Sequence, residues 1–276
     1  MPLFWLRVAL VLYGVGLLYA LASLWAGRAV LTRIALPAVG LGAILHFVAV
    51  FENAWKNAST SGTWAPSSMH ELESLLALAL MVFFFVIYAR YKATAPGLAV
   101  FPLVFLLTAP AALGSVSPEQ ESPLFVSPQW IYVHVALILV GYSALVFSFI
   151  ASILYLIQET NLKSKGTGGF WSRLPALATI DEIGYKSLVW GFPFMTLGLI
   201  AGSILAEARF GSRYFADPKI LLSILMWVVY TVLLYTRWSV GWRGRRAAYL
   251  ATIAFATAIV AWAANGFSHT HGFISQ

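Results

Sequence analysis

Five histidines and no cysteine bound the chemistry open to this chain. The histidines are His46, His70, His134, His269 and His271. Without cysteine there is no disulfide, no thiolate zinc site, no iron–sulfur cluster, no thioether link to haem and no thiol nucleophile. Imidazole remains, as a proton carrier near neutral pH or a ligand for iron. His46 and His134 lie inside apolar runs, where an ionisable side chain is costly and points to function. A zinc site wants three or four ligands within tetrahedral reach, and His269-Thr270-His271 cannot place both rings on one helical face. His70 and Glu73 share a face at i,i+3, a common arrangement at a helix start. No nucleophile–histidine–acid set stands out, and the glycine-rich stretches follow no strand and open no phosphate loop. The chain reads as a binding protein with no catalytic residue of its own.

The elements that must position these rings are membrane helices. Of the 276 residues, 61% are hydrophobic and 10% charged, with a mean hydropathy of +0.83. A soluble domain averages about 45–50% apolar and about 25% charged, so this chain has too little polar surface to cover itself in water. A bilayer core of about 30 Å takes about 20 apolar residues as a helix. Eight segments qualify, near 3–26, 30–52, 69–90, 97–115, 129–158, 183–207, 218–238 and 247–266. The fold class is thus all-α, a polytopic transmembrane bundle forming one integral-membrane domain over 1–276. Pro37, Pro102, Pro110 and Pro193 fall inside segments, which lipid-buried helices tolerate. Segment five is long, and its last turns from Tyr155 to Glu159 are expected to project into water.

Charge orients the bundle. With eight crossings, alternate loops share a side. One side holds twelve Lys/Arg and three Asp/Glu, and the other five Lys/Arg and seven Asp/Glu. The basic side is expected to be cytoplasmic, with both termini outside. The net charge of +7 is therefore topological, not a sign of nucleic acid. Arg7, the apolar run after it and Ala20-Leu21-Ala22 imitate a secretory leader. The run reaches nearly to Ala26, and a cleaved first helix would invert all twelve inner charges, so it reads as a true span.

Once oriented, all five histidines fall at or beyond the outer ends of their helices. His46 sits about six residues, hence about 9 Å, below the outer end of its span. For His70 and His271 an interfacial hydrogen-bonding role is the simpler reading. A two-haem electron carrier would need ligands in both leaflets, and the inner half has none. One haem near the outer face needs one or two imidazoles, an apolar slot and cations for its propionates. The outer side offers the histidines, Trp55, Trp64, Trp130 and Trp262, and Lys56, Arg209 and Arg213. Trp and Tyr also line membrane interfaces for reasons unrelated to any ligand.

Several blocks resemble the cytochrome c assembly family of membrane proteins, which includes the CcsA, ResC and CcmC haem-handling proteins and related HemX-type proteins. His46, a polar loop and Met69-His70-Glu71-Leu72-Glu73-Ser74-Leu75 resemble one family element. Trp130-Ile131-Tyr132-Val133-His134 with Gly141-Tyr142-Ser143-Ala144 resembles the span carrying the first external haem histidine. The blocks Asp181 to Lys186, Gly191-Phe192-Pro193 to Gly202, Asp217-Pro218-Lys219, and Gly241 to Arg246 resemble those that follow. His269-Thr270-His271-Gly272-Phe273 resembles the terminal element and sets His269 on the second external histidine. Order and spacing together make the resemblance specific.

The resemblance implies one non-covalent haem b near the outer face of a bacterial-type inner membrane. It implies His134 and His269 as axial ligands to the iron and His46 as a deeper ligand or way-station. Arg209 and Arg213 would neutralise propionates, and Phe210, Tyr214 and Phe215 would pack on the macrocycle. Partners would be haem, other assembly subunits and membrane lipid, with no nucleic acid. One departure bears on function. The stretch Ala206 to Ala216, where family members carry a tryptophan-rich motif, holds no tryptophan. That moves the chain toward the HemX-like branch and opens an alternative: a membrane regulator or scaffold that binds a cytosolic haem-biosynthesis enzyme through the 160–182 loop and Arg243–Arg246.

Overall fold

The computed structural model describes residues 2–26, 29–61, 66, 68–114, 128–164, 174–264 and 268. Among them are eight α-helices and no strand: α1 Pro2–Ala26, α2 Ala29–Ser61, α3 Met69–Tyr91, α4 Gly97–Leu113, α5 Pro128–Lys163, α6 Leu177–Phe210, α7 Pro218–Trp238 and α8 Arg245–Ala263. A 3-10 turn, Gly211–Ala216, joins α6 to α7. Helices are the expected solution, because lipid offers no partner for backbone N–H and C=O groups. Seven helices are long and apolar enough to cross a bilayer. α4 is shorter at 17 residues, about 26 Å at 1.5 Å per residue, the low end of what spans. The chain is a multi-pass helical membrane protein.

Three helices exceed the apolar segments that mark them. α2 continues through the polar run Asn53–Ser61, α6 starts six residues before position 183, and α5 runs on to Lys163. Hydropathy registers what sits in lipid, whereas these extensions are held by polar contacts. Asn53 Nδ2 donates to Glu71 Oε1 of α3 at 2.9 Å, and Lys163 pairs with Glu159 one turn back at 2.7 Å.

The helices form two compact units. The first comprises residues 1–119 and 157–179. Here α1 packs on α2 and α4, and α3 packs on α4. Its interior is large and apolar, with Tyr13, Leu80, Met81, Phe84 and Phe101 buried. Phe84 and Phe101 meet edge-on at 4.9 Å. Arg7 Nε donates to the carbonyl of Ala112 at 3.0 Å, joining the start of α1 to the end of α4. Ser68 caps α3 by accepting from Glu71 N–H, and Lys92 ends it at φ 52°.

The second unit comprises residues 120–156 and 180–276. α5 and α6 run antiparallel along a seam of small residues. A Cβ on Gly141 would lie 2.9 Å from Met195 N, and one on Gly191 would lie 2.6 Å from Ala144 Cβ. Gly184 meets Ala151 and Gly198 meets Ile138 in the same register. Small residues let membrane helices approach until their backbones touch, which replaces the hydrophobic drive that lipid removes. α8 offers α7 a stripe of alanines, Ala247, Ala251, Ala254, Ala258 and Ala261, and Met226, Tyr230 and Leu233 fill the space beside it.

Candidate functional site

In the first unit, α1, α2 and α3 enclose His46 completely. Its Nδ1 lies 3.2 Å from Tyr13 Oη, and its Nε2 lies 2.7 Å from Ser74 Oγ. Both ring nitrogens therefore have hydroxyl partners. Hydroxyls donate or accept, so either neutral tautomer is satisfied. The Tyr13 ring sits edge-on to the imidazole at 5.8 Å. Tyr13 and Ser74 are partners the sequence did not single out for His46. Nearby, the exposed His70 pairs with Glu73 at 3.3 Å on one face of α3.

In the second unit, His134 sits on the first turns of α5 against the last turns of α6. Its Nδ1 lies 2.7 Å from the carbonyl oxygen of Gly198. A carbonyl only accepts, so Nδ1 carries the proton and Nε2 keeps its lone pair. The ring lies over Gly202, where a Cβ would come within 2.5 Å of Cε1. Two α6 glycines thus do different work: one supplies the orienting carbonyl and the other the space. A neutral imidazole whose N–H is held by a backbone carbonyl is the arrangement found for metal-ligating histidines. Lys219, at the start of α7, lies within electrostatic reach of His134.

Asp217 is the N-cap of α7 and is buried. Its Oδ1 accepts from Lys219 N–H at 2.9 Å, and its Oδ2 accepts from Ser268 Oγ at 3.1 Å. Ser268 directly precedes His269 in the chain, and Asp217 holds Ser268 to the start of α7. His269 and His271 lie outside the described residues, as does the Arg213 side chain. Arg209 is exposed, with its guanidinium 5.2 Å from the Phe210 ring. Tyr214 is buried while Phe215 is half-exposed, with ring centres 4.1 Å apart. Among the described residues no three His, Asp or Glu side chains cluster to hold a free metal ion. A single imidazole with an available Nε2 suits an iron whose other ligands come from a macrocycle.

Comparison with known proteins decides the family. The model for "Cytochrome C assembly protein" matches residues 66–264, well over half of the chain. The chain belongs to the cytochrome c assembly protein family. Its relatives include a cytochrome c biogenesis protein CcsA from Porphyra purpurea, 27% identical over 90% of this chain and 89% of the relative. A CcsA protein from Thermosynechococcus vestitus is 32% identical over 56% of this chain and 63% of its own length. One from Guillardia theta is 28% identical over 73% and 72%. The cytochrome c assembly match takes in His134, Gly198, Gly202 and Asp217, while His46 and His269 flank it.

Proposed function

We propose that this cytochrome c assembly protein handles haem, held non-covalently at the end of the second unit where α5 begins and α6 stops. His134, through Nε2, and His269 would hold the iron. The observation that carries the reading is the 2.7 Å contact from His134 Nδ1 to Gly198 O, which sets the tautomer that exposes Nε2. Arg209 and Arg213 would neutralise the propionates, with Lys219 a third cation for them, and Phe210, Tyr214 and Phe215 would pack on the macrocycle. Iron redox chemistry belongs to the haem. This chain orients the imidazole, excludes water and ties the segment before His269 through Asp217 and Ser268. His46, with both nitrogens engaged, is a deeper site that takes iron only when Ser74 Oγ turns away from Nε2. The site faces outward from a bacterial-type inner membrane, both termini lie on the same side, and the chain has no catalysis of its own.

Absorption spectra of detergent-purified protein from haem-replete cells test this. Wild type is expected to show a Soret band at low-spin position. His134→Ala is expected to lose it or shift it to a high-spin form. A haem-free wild type sinks the proposal.

The absence of tryptophan from 206–216 favours a second reading, a HemX-like regulator docking a cytosolic haem-biosynthesis enzyme on its basic loops. Part of the 160–182 loop, residues 165–173, lies outside the described residues. Co-purification of that enzyme, lost on deleting 163–173, would support it. Unchanged co-purification would count against that surface.

A further inference from the structure

The turn from α7 to α8 combines rigidity, positive charge and exposed aromatic surface. Arg243, Arg245 and Arg246 are exposed within four residues. Around them Trp238 is 78% exposed, Tyr235 60%, Val240 56% and Tyr249 48%. The turn is held at several points. Ser239 N–H donates to Tyr235 O at 2.8 Å, and Trp242 N–H donates to Thr236 O at 3.0 Å. Asp181 of α6 accepts from Arg237 Nη2 at 2.9 Å and from Gly244 N–H at 3.3 Å. The Arg237 guanidinium stacks over Tyr185 at 5.0 Å. Gly244 sits at φ 64°, and a Cβ there would lie 2.6 Å from Tyr155 Oη, so the backbone is pinned against α5.

Arg237 and Asp181 neutralise one another inside this clasp, which leaves Arg243 and Arg246 to carry the charge of the turn. Arg245 is engaged by Tyr249 Oη at 3.0 Å. Arg243 and Arg246 extend from a backbone that does not need to reorganise to receive a ligand.

We propose that this turn is a binding site for an anionic phospholipid headgroup. α7 has 21 residues and α8 has 19, each close to one bilayer core in length, so their shared turn lies at headgroup depth. Exposed Trp and Tyr at helix ends with arginine just beyond them is the pattern of a lipid boundary. Guanidinium groups match phosphate oxygens bidentately. An acidic soluble protein would need a surface clear of the bilayer. Here Trp238 and Val240, three to eight residues before the arginines, are exposed as well, which favours lipid.

The test uses the full-length protein in detergent, titrated with phosphatidylglycerol or phosphatidylcholine and followed by thermal melting and native mass spectrometry. Wild type should retain phosphatidylglycerol in preference to phosphatidylcholine and melt higher with it. Arg243→Gln/Arg246→Gln should bind it about 30-fold more weakly, since each basic residue near an anionic surface contributes about a factor of five. The charge-conserving Arg243→Lys/Arg246→Lys variant should keep most of the affinity. Lys163→Gln, which alters a basic residue paired within its own helix, should match wild type. The proposal is overturned if the double Gln variant binds as wild type does, or if inorganic phosphate raises the melting temperature equally. It is also overturned if the variant loses a soluble protein partner while its lipid response is unchanged.

Discussion

At residue scale, Gly198 O and Gly202 fix the tautomer and the place of the His134 ring. Gly198 O takes the Nδ1 proton, and Gly202 leaves the ring its place. Gly202→Ala is therefore expected to act through His134 without touching any ligand. Its Cβ would fall 2.5 Å from Cε1 and 2.8 Å from Nδ1, so the ring must swing off Gly198 O. Haem spectra of Gly202→Ala should resemble those of His134→Ala more than wild type, while helix content by circular dichroism stays constant. A wild-type spectrum would show that the Gly198 bond does not orient the ligand. His46 contrasts with His134. Both are histidines in apolar runs, and nothing in their local sequence tells the one held at both nitrogens from the one held at a single nitrogen. Ser74 and Tyr13 lie 28 and 33 positions from His46, and Gly198 lies 64 from His134. Such partners are set by helix register, which a local pattern does not encode.

At element scale, the α5–α6 seam places His134 opposite Gly202. The pairs His134–Gly202, Ile138–Gly198, Gly141–Met195 and Ala144–Gly191 share one antiparallel register. Gly191→Leu should wedge it. The new side chain would begin 2.6 Å from Ala144 Cβ and 3.2 Å from Gly141 O, the second a backbone atom that cannot rotate away. Overpacking of this kind costs about 1–3 kcal/mol. The expected result is a lower melting temperature in detergent together with weaker haem retention, because the register carries the site. Gly14→Ala in α1 is the control, since the Cβ it would add meets only Phe105 Cε2 at 3.6 Å, an ordinary contact. Equal losses in the two variants would refute the seam as the controlling contact. The eight helices were legible from hydropathy, and the seam residues Gly141 and Gly191 were visible in family-like blocks. The polar extension of α2 to Ser61 was not legible, because its support is Glu71 on another helix.

At the scale of the whole molecule, the charge partition predicts where the loops lie. Cysteine-free protein makes this direct to test, since a single introduced thiol is the only one to label. In intact cells a membrane-impermeant maleimide should modify Ser122→Cys, in the loop between α4 and α5. It should modify Ser164→Cys, just after α5, only after the cells are opened. The reverse pattern would invert the topology and put the His134 end of the second unit inside. Twelve basic residues on one side against five on the other set the expected sense.

The sequence by itself determined that this chain lives in lipid as a helical bundle, that thiolate chemistry is closed to it, and which family it resembles. These follow from composition, from the length of apolar runs and from short ordered blocks, all read along the chain. The tertiary structure decided which ring nitrogens of His46 and His134 are engaged, that Asp217 holds Ser268 to the start of α7, and that Asp181 pins the α7–α8 turn. The physical reason is that hydrogen-bond partners and tautomers arise between helices, through register and close approach. Many sequences with the same hydropathy would satisfy lipid equally well without bringing a Gly198 carbonyl to a His134 ring.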